Sequence, residues 1–226
     1  MMIGAVIGLG DLFAGVPTSV VSKDAATVVH LVAMAVALGS VLTHDVMVMR
    51  YAKRPISGHL IGSLLSVHHV ITGSLIVLWL SGLVLIGHKT GFVWAEFSPK
   101  LIAKVSIVTM LTITAVVMKI VAMPRMMENV GLPLLSIPFQ TKLVLAACAG
   151  MSFGGWMTAV VLGGMSFLKT AAADQVITMV LLIQGGALFG ALMAAVAGHM
   201  FMIATIVSRL LQIPDYSRTL TYIPAE

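Results

Sequence analysis

Charge is what this sequence has least of. Lys, Arg, Asp and Glu together make up 9% of the 226 residues, against roughly 25% in a soluble domain whose surface must face water. With 59% of residues hydrophobic and a mean hydropathy of +1.08, lipid rather than water is the main solvent. Cysteine is nearly absent as well. The single Cys148 excludes an intrachain disulfide framework and any cysteine-only metal site, and its apolar surroundings read as those of a small buried hydrophobe. Acidic residues number only 8 and fall mostly outside the apolar runs, so a carboxylate-based proton pathway has little to work with. No GxxxxGK[ST] phosphate loop, HExxH helix or GxSxG elbow occurs.

The basic residues outnumber the acidic ones by enough to give a net charge of +5. They are scattered singly between apolar runs, which is the pattern of loop anchors at lipid headgroups and not of a nucleic-acid surface. Five apolar stretches carry the chain: Ala25–Met49, Leu64–Gly87, Leu101–Met123, Lys142–Phe167 and Val176–Val207. Each exceeds the ~20 residues that cross a ~30 Å hydrocarbon core at 1.5 Å per residue. The fifth is longer than a straight crossing needs and too short for two, so it reads as one tilted or protruding helix, loosened at Gly185–Gly186.

Residues 1–22 are apolar but contain Asp11, several glycines and Pro17. No basic segment precedes the apolar run, which argues against a signal peptide. They are read first as a short interfacial or re-entrant segment, with a sixth span as the alternative. The expectation is therefore an all-α polytopic transmembrane bundle: one integral membrane domain over 1–226, with about five spanning helices between 25 and 210.

Orientation follows from the basic residues. Arg50, Lys53, Arg54, Lys119, Arg125, Lys142, Arg209 and Arg218 fall on one side; Lys23, Lys89, Lys100, Lys104 and Lys169 fall on the other. The excess of Lys and Arg on the first side predicts that it is cytoplasmic, with the C-terminus and the proline-rich connection Met123–Gln140 inside.

Histidine is what the sequence has instead of charge. His59 reads as a loop residue and His88 as a helix end, whereas His30, His44, His68, His69 and His199 fall within or at the edges of the apolar helices. An ionisable side chain there is costly to bury and is a functional hypothesis by default; the competing reading gives each imidazole a neighbouring carbonyl or hydroxyl. His30 and His44 are fourteen residues apart, which returns the side chain to within ~40° of one face, ~21 Å further along the helix. That spacing resembles the ligand helices of cytochromes b, although the second span does not repeat it. Neutral imidazole is a good axial ligand for haem iron, and facing helices build such sites.

The cytoplasmic half is richer in candidate ligands, with His44, His68, His69 and His199, and His69 and His199 are expected to meet His44 across the bundle as metal ligands. His68 points ~100° away from His69, so one of that pair is expected to hold a structural hydrogen bond instead. Asp45 reads either as an acceptor that fixes a histidine tautomer or as an interfacial charge for Lys53 or Arg54. Gly73 one turn after His69, Gly82 fourteen residues after His68 and Gly198 just before His199 would leave room for a macrocycle, but close helix packing is the reading favoured for them. It is also the reading for Gly150–Gly154 and Gly186–Gly190, both with GxxxG spacing.

Copper is the rival metal. There are 17 methionines, and thioethers select Cu(I). Met47 and Met49, near His44, diverge by ~200° around a helix and cannot both face one ion; Met123, Met126 and Met127 are compact but have no histidine beside them in sequence.

Val29-His30-Leu-Val-Ala-Met-Ala-Val-Ala-Leu-Gly39, running on to Val48-Met-Arg-Tyr51, resembles the first core helix of a superfamily of bacterial membrane proteins. That superfamily includes the haem-binding protoporphyrinogen oxidases and the copper-resistance D proteins. Ser81-Gly82-Leu83 and Trp94-Ala-Glu-Phe97, followed by Lys100 and Lys104, are similar too, so that the resemblance covers about residues 25–125. It implies a helical bundle holding haem b, with His30 matching the family's first-helix histidine and Lys104 its third-helix lysine. The adjacent pair His68-His69 departs from the protoporphyrinogen oxidases. The expectation is a haem b protein of a bacterial inner membrane, passing electrons between a quinone pool and a partner protein, and associating within the membrane with a partner protein or as a homo-oligomer. The alternative is a non-catalytic accessory or copper-handling subunit of a larger membrane complex.

Overall fold

A computed structural model describes residues 17–211. Five helices account for nearly all of them: α1 Thr18–Tyr51, α2 Gly58–Thr90, α3 Pro99–Met127, α4 Phe139–Gly164 and α5 Ala173–Leu211. No strand occurs among the described residues beyond one isolated bridge, Pro55 to Pro133. The shortest helix has 26 residues and so rises about 39 Å, enough to cross the hydrocarbon core. All five are long and apolar enough to span a membrane, and the chain is a multi-pass membrane protein.

The spans expected from sequence are all present, with longer ends except at the end of α4, which stops at Gly164, three residues before the expected Phe167. α1 reaches back to Thr18, so the last residues of the expected N-terminal segment belong to it; residues 1–16, and Arg218 with the C-terminal residues, lie outside the described part. α5 runs without interruption through Gly185–Gly186. The termini of the helices follow local chemistry. Ser57 and Ser98 accept hydrogen bonds from Leu60 and Leu101 at the starts of α2 and α3, and Pro99 occupies the first turn of α3, where its missing N–H costs nothing. Gly91 closes α2 in the left-handed conformation, φ 55°.

α3 contains a feature that periodicity does not show. Met118–Ala122 form a π turn, in which the Met123 N–H reaches back to the Met118 carbonyl. The next residue is Pro124, which has no N–H and whose ring would clash with a carbonyl one α-turn earlier. The wider turn absorbs that conflict, so the helix continues to Met127 instead of ending at the proline.

The helices assemble as two hairpins, α1 on α2 and α4 on α5, with α3 packed mainly against α4. The α4–α5 contact is close because Gly150 and Gly154 carry no side chain. A Cβ on Gly150 would lie 2.9 Å from Ala191 Cβ, and one on Gly154 2.9 Å from both Ala187 Cβ and the Gln184 Oε1. Gly155 does the same for α3, where a Cβ would meet the Leu111 and Met110 side chains at 2.7 Å.

At one end the connections α1–α2 and α3–α4 are stitched together, with Ile56 N–H donating to Leu132 O at 3.0 Å and Gly131 N–H to Ile56 O at 2.8 Å. Below them Ile56, Leu60, Leu64, Met123, Met126 and Ile137 form a small apolar core. This end, which carries Arg50, Lys53, Arg54 and Arg125, is called the basic end here. Along the rest of the bundle Ala37, Val41, Leu75, Leu111, Trp156 and Leu162 fill the centre.

Candidate functional site

The two hairpins do not close on each other everywhere. Toward the basic end, between α1 on one side and α4 and α5 on the other, lies a cavity of about 710 Å³, within the usual range for cofactor sites. Its α1 wall carries His44, Asp45 and Met49; the π turn contributes Met118 and Ala122; the far wall is a run of small residues, among them Ala146, Gly186, Gly190 and Ala194. A Cβ on Gly186 or Gly190 would meet no atom within 4 Å. Among the described residues this GxxxG pair is therefore not packed against another helix, in contrast to Gly150 and Gly154. Leu42 and Met49 on α1 and Phe153 on α4 line the cavity and are also exposed, so it opens sideways into the surrounding lipid.

His44 is held by its neighbour. Its Nδ1 lies 3.3 Å from Asp45 Oδ1, both side chains being largely buried. A carboxylate accepts only, so the Nδ1 carries the proton and the Nε2 lone pair is left for a ligand. Asp45 is thus the tautomer-fixing acceptor; it makes no ion pair with Lys53 or Arg54. A second, much smaller cavity of about 40 Å³ sits behind His44, toward the bundle centre. His68 of α2 lines it with His44 and Asp45, and Met118 and Met123 of α3, Thr114 and Ser152 complete its wall.

The remaining expected ligands lie elsewhere. His68 is 7% exposed and faces inward, whereas His69 is on the exposed side of α2 and lines neither cavity. Gly73, one turn on from His69, is exposed on the same side, with open space around it. His199 of α5 stacks on Phe139, with ring centroids 4.7 Å apart, and accepts from Lys142 Nζ at 3.2 Å; it lines neither cavity. His30, near the other end, is tied to α2: Ser81 Oγ donates to Val77 O at 2.6 Å and receives the His30 Nδ1 proton at 2.9 Å. Gly82 lies beside this imidazole, where a Cβ would make an ordinary van der Waals contact at 3.6 Å from His30 Cε1. His59 is exposed, and His88 meets Ser22 Oγ at 3.1 Å. Lys104 is exposed on α3.

A haem held between two histidines does not fit this arrangement. Only His44 among the candidates lines the large cavity, and the cavity that His44 shares with His68 is far too small for a macrocycle. Among the described residues no three His, Cys, Asp or Glu side chains come together as a metal site. His44, oriented by Asp45, is the residue of this wall that would hold a haem, and the Gly186 and Gly190 surface, where a Cβ would meet open space, would make room for one.

Two residues of this region escaped the sequence reading. Lys142 was taken as a loop anchor, yet it is 6% exposed and lines the large cavity; its position within an apolar run was the available signal. Met118 continues the inward stripe of Leu111, Thr114 and Ala115 at helical spacing, a signal that the apolar residues on every face of α3 obscure. Compared with protein-family models, characterised proteins and solved structures, this chain matches none of them.

Proposed function

We propose that this protein binds haem b in the large cavity, with His44 as its single axial ligand, and works in electron transfer within a bacterial inner membrane. The observation that carries the reading is the conjunction of a carboxylate-oriented imidazole with a facing wall of small residues in a cavity of cofactor size. The bound group would supply a one-electron couple. The chain's own part is to present the His44 Nε2 with its tautomer set by Asp45, and to shield the site from water with apolar walls. The sideways opening suits exchange with a lipid-soluble partner such as a quinone.

The test is spectroscopic. Protein purified from haem-supplemented cells should give a Soret band and a reduced-minus-oxidised difference spectrum, with the high-spin character of one histidine ligand. His44→Ala should lose most of the bound haem, while His69→Ala and His199→Ala keep their axial ligation. A colourless protein, or a His44→Ala variant with unchanged haem content and spectrum, would refute the assignment.

One observation favours the copper reading as the runner-up. The π turn and the residue after it bring Met118 and Met123 to the same small cavity as His44 and His68. Imidazole and thioether together are a Cu(I) ligand set, and a copper-handling subunit would use them. Stoichiometric copper in the purified protein, lost in Met118→Leu and His68→Ala, would favour it over haem.

A further inference from the structure

Among the described residues Lys142 is a cation without a counter-charge. It stands in the first turn of α4, is 6% exposed, and lines the large cavity. A lysine near the end of a spanning helix ordinarily extends its ammonium to the headgroups. This one turns inward instead: its Nζ donates to the Leu135 carbonyl and to His199 Nδ1. Leu135 belongs to the α3–α4 connection and His199 to α5, so the ammonium is fixed from two sides, and Phe139 holds the His199 ring by stacking.

Neither of its two partners carries negative charge. Among the described residues the one ion pair is His44 with Asp45, and no carboxylate lies within 4 Å of Lys142. An ammonium removed from water is expensive unless an anion or a full set of acceptors compensates. It has three N–H donors, of which two are placed by Leu135 and His199. The third has no protein acceptor among the described residues, and Lys142 borders the cavity.

We infer that the ligand of the large cavity is an acidic amphiphile whose carboxylate docks on Lys142, as a propionate of haem b would. This rests on the cavity being the binding site proposed above, and adds the charge that its occupant must carry. Lys142 and His44 then act as two fixed points: His44 on α1 binds the centre of the ligand, and Lys142 on α4 its acidic edge. His199 is a positioning residue for the ammonium and not a metal ligand, which accounts for a histidine on α5 that reaches neither cavity.

The experiment compares ferric haem b with its dimethyl ester, in which both carboxylates are masked, by Soret titration of the full chain in detergent micelles. For the wild type the free acid should bind more tightly, by roughly tenfold to a hundredfold, as expected for one charge-assisted hydrogen bond. Lys142→Met, which keeps the unbranched stem and removes the ammonium, should bind the two compounds about equally. Equal binding of acid and ester by the wild type, or discrimination that survives in Lys142→Met, overturns the inference while leaving the haem site standing. Binding of neither compound by the wild type removes both. Should Lys142→Met not fold, the wild-type comparison decides alone.

Discussion

His68 and His69 are adjacent in sequence, and only the first is turned into the bundle. The inward residues of α2 include Leu64, His68, Leu75, Leu78 and Ser81, a stripe with helical spacing. In a soluble helix such a stripe stands out because the opposite face is polar. Here lipid replaces water, and the outward face carries Val70, Ile76, Val77 and Leu80, so apolarity marks no face. Ser74 and Ser81 are buried together with His68, but at six and thirteen residues on they lie about as far around the helix from His68 as from His69, so their spacing does not tell the two histidines apart. Ser81 also allows a prediction at this scale. It is the hydroxyl that takes the His30 proton, so Ser81→Ala leaves a half-buried imidazole N–H without its partner. That should cost about 1–3 kcal/mol, seen as a lower midpoint of thermal unfolding in detergent. Haem content should be unaffected, since His30 is remote from the cavity. A variant as stable as the wild type would show that the His30–Ser81 contact contributes nothing.

Two glycine pairs with the same spacing do different work, and the helices they sit on explain why. Gly150 and Gly154 of α4 face α5 at contact distance; Gly186 and Gly190 of α5 face open space. GxxxG in the sequence states only that backbones are able to approach closely. Which pair is used depends on how α5 is rotated against α4, and the α5 sequence, apolar all round, does not encode that rotation. Gly154→Leu should therefore separate α4 from α5. A side chain there collides with Ala187 and Gln184, and the loss of packing should exceed 2 kcal/mol, enough to lower yield and thermal stability sharply. Gly190→Leu should leave folding within about 1 kcal/mol of the wild type yet fill part of the cavity, so that ligand binding falls while the unfolding midpoint stays. The two variants side by side separate packing from binding. Equal destabilisation by both would mean that α5 is rotated differently from the structure described here. The π turn is a second case in which the element was beyond the sequence pattern: Pro124 announced a break in α3, and the chain met it with one wider turn.

At the scale of the whole molecule, the spans were legible because length and hydropathy decide them, and each of the five appeared within a few residues of its expected place. The arrangement of the hairpins was not, because it rests on shape: the glycines of α4, the width of the π turn and the tie between the two loops of the basic end. What the sequence does carry is a charge asymmetry. Arg50, Lys53, Arg54 and Arg125 gather at the end where the α1–α2 and α3–α4 connections meet. The other end carries Lys23, Lys89, Lys100, Lys104 and Lys169, offset by Asp24, Glu96 and Asp174 beside them. Retention of Lys and Arg on the cytoplasmic side during insertion then predicts a cytoplasmic basic end, which also places the cavity and Lys142 nearer the cytoplasm. Cysteine accessibility tests this cleanly, because the sole cysteine, Cys148, is buried and can be removed as Cys148→Ser. On that background Glu96→Cys should react with a membrane-impermeant maleimide in intact cells, and Glu128→Cys only after the membrane is permeabilised. The reverse pattern would invert the molecule and move the cavity to the outer half. Any electron partner reaching the site from water would then have to come from the opposite side of the membrane.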